Sequence, residues 1–139
     1  MNLKTIKTYI IAFTLTNVIL VYILNLPGLI TNANNLVNEY YYKNGIYSYF
    51  FDLFIVGIYL LIANYISSLL KTNNYKTIIV LLTTILISSS FMIGFLSYPQ
   101  NNTFFSRWFY KTKYNAVIYD AIIVTSIYLS YKYLYKYIN

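Results

Sequence analysis

Between Lys7 and Glu39 the chain carries no charge, and within that gap lies the apolar segment TYIIAFTLTNVILVYILNL. A bilayer's hydrocarbon core needs about 20 such residues of helix. Inside hydrocarbon the backbone must satisfy its own polar groups, which a helix does within one segment. Three further runs follow, each nearly free of charge. The expectation is an all-α integral membrane protein with four transmembrane helices in a compact bundle, forming a single membrane domain over residues 1–139. The spans are expected at about residues 8–28, 47–70, 77–98 and 114–134, with Pro27 and Gly28 closing the first and Pro99 closing the third. The last is short, but the Lys and Tyr residues at its ends can reach the interface. Only 9% of the residues are charged, against about 25% in soluble domains, so the surface cannot be mostly wet.

The same inventory excludes much chemistry. Cysteine and histidine are absent, and the acidic residues are Glu39, Asp52 and Asp120 alone. A thiolate nucleophile, a disulfide and a Cys/His metal site are ruled out. The commonest general base is missing. No metal, no cofactor and no enzymatic activity are expected. The net charge of +7 would suggest nucleic acid in a soluble protein. Here the lysines stand at the ends of apolar runs, where they contact lipid headgroups, so the expected partner is the bilayer and not nucleic acid.

Orientation follows from Lys and Arg in short loops. With four spans, Lys4, Lys7, Lys71, Lys76, Lys132 and Lys136 share one side, and Lys43, Arg107, Lys111 and Lys113 the other. That bias places both termini in the cytoplasm. The first apolar run is longer than a signal-peptide core and no A-x-A-like site follows it, so it reads as a retained helix.

The loops differ in kind. KTNNY at residues 71–75 is a tight turn joining the second and third spans as a hairpin. The loop of residues 27–45 is longer and polar. In the loop of residues 99–114, Phe104, Phe105, Trp108 and Phe109 fall on one arc of a helix, flanked by Arg107, Lys111 and Lys113. The pattern predicts a short helix over residues 103–112 lying in the interface, rings toward the lipid as an anchor and cations toward water. A partner-binding surface is the alternative for the same residues.

The two halves resemble each other. KTYIIAFTLT from Lys7 matches KTIIVLLTT from Lys76, and FDLFIVGIYL from Phe51 matches YDAIIVTSIYL from Tyr119, at offsets of 69 and 68 residues. Both copies would face the same way, as in parallel repeats related by an axis along the membrane normal. Chance likeness between Ile-rich helices is the plain alternative.

Asp52 and Asp120 are the residues with most to explain, because carboxylates inside spans are costly. Each stands near a helix start, where the dipole favours an anion and where Arg107 and Lys111 could pair with it. Read so, they are helix-start anions with loop cations. Read functionally, they face each other as a cation or proton site. Tyr119-Asp120 matches half the signature of intramembrane aspartyl proteases, but the Gly-x-Gly-Asp half and the Pro-Ala-Leu segment are missing. The first span lacks the Glu of small four-span multidrug exporters, and no TVGYG-like filter is present. Asn17 and Asn64 fit interhelical hydrogen bonding. The pairs Ala12 with Thr16, Ala63 with Ser67 and Ser90 with Gly94 fit close helix approach.

FFSRWFYKTKYNAVIYDAIIVTSIYL, with FFDLFIVGIYLLIANYI before it, resembles small multi-span membrane proteins encoded by large nucleocytoplasmic DNA viruses. Heavy use of Ile, Asn, Lys and Tyr fits an AT-rich genome. The resemblance implies a protein of a virion's internal membrane or of host membranes used in assembly, and it transfers no site residues. The function expected is structural or membrane-organising, with further copies of the chain or other membrane or capsid proteins as partners. The alternative is a small transporter or channel using Asp52 and Asp120.

Overall fold

Helix is the only regular structure in the computed structural model, which describes residues 1–139. Helix α1 spans Leu3–Asn17 and continues unbroken as a π-helical stretch, Val18–Ile23. Its start is capped by Asn2, whose side-chain oxygen accepts from the Thr5 backbone N–H at 2.9 Å. The chain leaves helix at Asn25, in the left-handed region at φ 50°. Pro27 then sits in the first turn of α2 (Leu26–Thr31), where its missing N–H has no helical partner to lose. Pro27 therefore starts a new helix instead of closing the old one, and the first span runs Leu3–Ile23, about five residues before its expected place.

A short α3 (Asn34–Val37) leads into a second π-helical stretch, Asn38–Lys43. The segment expected to be a polar loop is thus mostly helical. Then come α4 (Gly45–Leu69), α5 (Lys76–Leu96), α6 (Phe104–Thr112) and α7 (Tyr114–Leu134). The turn between α4 and α5 is as tight as its sequence implies. Lys71 takes a left-handed conformation at φ 52°, and the Ser67 hydroxyl donates to the Thr72 carbonyl at 2.5 Å.

Three helices are long and apolar enough to cross a membrane: Leu3–Ile23, Gly45–Leu69 and Lys76–Leu96. Their outward faces carry side chains such as Phe54, Leu86 and Ile93, all strongly exposed. So wide an apolar surface calls for an apolar surrounding. The protein is a multi-pass, membrane-embedded helical protein on this count. Helix α7 has 21 residues, but Asn115, Asp120, Lys132 and five tyrosines make it too polar to qualify by composition. Its position explains the difference. It lies in the middle, packed along α5 on one side and α1 on the other, with Ala116, Val124 and Ile127 buried. A helix partly covered by protein needs less apolar surface than one facing lipid. Of its polar groups Tyr119 and Asp120 turn inward, while Tyr114, Asn115, Lys132 and Tyr133 are exposed near its ends.

The long helices neighbour one another in the order α1, α7, α5, α4. At the α5–α7 contact Thr84 and Ser88 of α5 are fully buried, as is most of Ala121 of α7. Such small side chains let backbones come close. Between α1 and α4 the backbones stay apart, leaving a crevice of about 1540 Å³ walled by residues including Tyr9, Phe54, Gly57 and Leu61. Side chains bridge it. The Tyr9 hydroxyl donates to the Leu53 carbonyl, the Thr14 and Tyr49 hydroxyls meet at 2.7 Å, and the rings of Phe13 and Tyr49 pack edge-on at 5.4 Å.

Of the small-residue pairs expected at helix contacts, Ala12 with Thr16 and Ala63 with Ser67 are buried. Ser90 and Gly94 are exposed, because α5 turns the adjoining face, with Thr84 and Ser88, toward its neighbours. Asn64 is exposed on the wall of the crevice, not engaged between helices. Met1, Lys76, Lys132 and Tyr135 line that same crevice, so the N-terminus, the start of α5 and the end of α7 share one end of the molecule.

Candidate functional site

The opposite end gathers the starts of α4 and α7, the second π-helical stretch and α6. One ion pair ties them. Arg107 on α6 donates through both terminal nitrogens to Glu39, at 2.9 and 3.1 Å. Each side chain is one-third exposed, so solvent screening keeps the pair worth about 1 kcal/mol or less. What it fixes is the position of α6 over the bundle.

Beneath α6 lies a cavity of about 330 Å³. Asp52, eighth residue of α4, and Asp120, seventh of α7, both line it. At 1.5 Å per residue each stands about 10 Å along its helix from the same end of the bundle. The Tyr40 hydroxyl donates to Asp52 Oδ1 at 2.7 Å, and the Ser88 hydroxyl donates to Asp120 Oδ2 at 2.6 Å. Beside them the hydroxyls of Tyr41 and Tyr119 meet at 2.6 Å. Burial pushes the Tyr40 and Tyr41 phenols up from their ordinary range, with the negative charge of Asp52 adding to the shift of Tyr40. Both therefore remain neutral hydroxyls.

The pairing expected for the two aspartates is not the one found. Arg107 is taken by Glu39, and Lys111 is exposed and in no salt bridge. Each carboxyl has one hydroxyl donor and no cation. Glu39 was the acidic residue that sequence reasoning passed over as a partner, although it stands 68 positions before Arg107, the offset separating the two halves.

The aromatic arc of α6 forms as expected but faces inward. Trp108 and Phe109 are buried, with 7% and 5% of their surface exposed. Phe104 stacks on Tyr40 at 4.8 Å, Phe105 packs on Phe51 at 5.4 Å, and Phe109 stacks on Phe95 at 5.4 Å. These four rings roof the cavity instead of entering lipid. A helix's amphipathic pattern says that one face is apolar, not what covers it, and here protein does.

The cavity wall follows the offset between the halves. Seven pairs of its lining residues stand 68 positions apart, among them Asp52 with Asp120, Val56 with Val124, and Tyr40 with Trp108. Together they make fourteen of its twenty lining residues. Asn17 of α1 adds an amide to the wall. No group of three or more His, Cys, Asp or Glu side chains is gathered anywhere in the molecule to hold a metal. Comparison with family models, with curated proteins and with solved structures finds no match to the chain.

Proposed function

We propose that this chain is a small membrane transporter or channel that binds a cation or proton at Asp52 and Asp120. On this reading α7 is a fourth crossing, the four long helices form one bundle, and the halves are duplicated hairpins. Both termini lie in the cytoplasm, as the lysine bias favours. The observation that carries the reading is the shared cavity. Two carboxyls from equivalent positions of the two halves line it, and no basic side chain of the chain answers them. An intramembrane carboxylate without a counter-charge is costly, at about 2.5–3.5 kcal/mol at mid-bilayer on insertion scales. A bound cation or proton supplies what is missing. Parallel repeats in transporters likewise place such groups at the interface between halves.

The test is reconstitution in liposomes with a cation or pH gradient. Flux should be present in the native chain, reduced by Asp52→Asn or Asp120→Asn, and lost when both are changed. The hydroxyl donors on both carboxyls favour a second reading. In it Asp52 and Asp120 are satisfied structural groups, and the protein organises a membrane, in a virion if the viral likeness holds. Absence of flux from well-folded native protein would leave that second reading standing.

A further inference from the structure

We propose that the occupant of the cavity is an organic cation, an ammonium group carried on an apolar or aromatic body, in preference to a bare metal ion. This rests on the cation-site reading above and names its ligand.

Four observations point to that chemistry. The volume, about 330 Å³, lies at the lower end of the range for small-molecule sites, about 300–1,000 Å³, and far exceeds what a dehydrated metal ion fills. Twelve of the twenty lining residues are aromatic. A wall of rings attracts a diffuse cation through the π-face and offers a small, strongly hydrated ion nothing to replace its water. Calcium and magnesium want six or more oxygens, whereas the only carboxylates here are two, each with one oxygen already accepting a hydroxyl donor. The fourth observation is access. Phe51 belongs to the wall of the cavity and also to that of the wide apolar crevice between α1 and α4. A ligand partitioned into the bilayer therefore meets an apolar approach that passes beside the site.

The geometry assigns roles accordingly. Asp52 and Asp120 supply the negative charge. Tyr40 and Ser88, each hydrogen-bonded to one carboxyl, orient them. Phe104 and Trp108 close the site from above.

The experiment uses the whole purified protein in lipid nanodiscs. Benzyltrimethylammonium is the probe, and neopentylbenzene, the same shape with carbon in place of the charged nitrogen, is the control. Trp108 is the sole tryptophan and lines the cavity, so its emission reports occupancy directly. The expected result is a saturable change with the cation and about tenfold or weaker affinity for the neutral isostere. Changing both aspartates to Asn should abolish the preference between the two, and the comparison of ligands on the native chain stands even where that variant folds poorly. Equal binding of both ligands, or no saturable response to the cation, overturns the proposal. The same preparation in liposomes separates the two levels. Aspartate-dependent flux of protons or alkali cations, untouched by benzyltrimethylammonium, sinks the ligand class and keeps the cation site. Absence of both binding and flux sinks both.

Discussion

Helices α5 and α7 close tightly on each other, whereas α1 and α4, their counterparts in the first half, are held apart. The interfaces that join the halves do not show this difference. The α1–α7 and α4–α5 contacts correspond under the offset, and both are well formed. Only the contact within each half differs, and side-chain size accounts for it. Thr84, Ser88 and Ala121 let α5 and α7 approach. The rings of Tyr9, Phe13 and Tyr49 prop α1 and α4 apart. The carboxyls register the consequence. Asp120 finds a hydroxyl on the facing helix, at Ser88. The residue 69 positions before Ser88 is Ile19, which has none to offer, so Asp52 takes Tyr40 from the preceding stretch instead. A closed contact supplies partners from across the helix pair. An open one leaves them to be found locally, and leaves a crevice.

The strongest blow to the closed contact is Ser88→Leu. It overfills a site with no free space and removes the donor to Asp120, and should cost about 1–3 kcal/mol, read as a shift in denaturation of the purified protein. If it costs nothing, the α5–α7 contact is not close-packed. Next comes Tyr40→Phe, which removes the donor to Asp52. A loss of about 1–2 kcal/mol is expected, and Ser88→Ala should cost a similar amount if the two carboxyls are equivalent. Glu39→Arg sets like charges against each other and should cost about 1 kcal/mol or less at this exposure. Exchanging both residues, Glu39→Arg with Arg107→Glu, should restore native stability if the two positions are equivalent under the proposed repeat. Failure of the exchange would count against the duplication. The smallest effect is expected at the open contact. A Cβ at Gly57 meets the Tyr9 side chain at ordinary contact distance, its hydroxyl at 3.4 Å and two ring carbons at 3.6 Å, so Gly57→Ala should be neutral or gain up to about 1 kcal/mol in helix propensity. A loss comparable to that of Ser88→Leu would mean that the crevice is closed.

Much of the scaffold was legible because it depends on local pattern. The uncharged runs, the tight turn at residues 71–75 and the amphipathic arc of Phe104, Phe105, Trp108 and Phe109 all follow from spacing. What resisted reading depends on which surfaces meet. Nothing in the arc says whether lipid or protein covers it. Nothing in the charge of Arg107 says that Glu39, and not an aspartate, will come within reach. Nothing in the composition of α7 says that it will lie between α1 and α5. The offset of 68 was the one available signal for the cavity. Carried along the chain, it pairs Asp52 with Asp120, Tyr40 with Trp108 and Glu39 with Arg107.

The two π-helical stretches both fall in the first half, at Val18–Ile23 and Asn38–Lys43. In them backbone bonds close five residues back, as from Leu24 to Ile19 at 2.9 Å and from Asn44 to Glu39 at 3.1 Å. Such a turn lets a helix absorb a surplus residue without breaking. The first half needs that allowance: Lys7 to Asp52 is 45 positions, while Lys76 to Asp120 is 44. If the halves descend from one hairpin, a single inserted codon leaves the first stretch, Val18–Ile23, as its footprint, and it explains why the offset slips from 69 at Ile19 to 68 by Glu39. A gapless self-comparison of the gene would lose its register there, and one allowing a three-nucleotide gap between codons 19 and 39 should recover it.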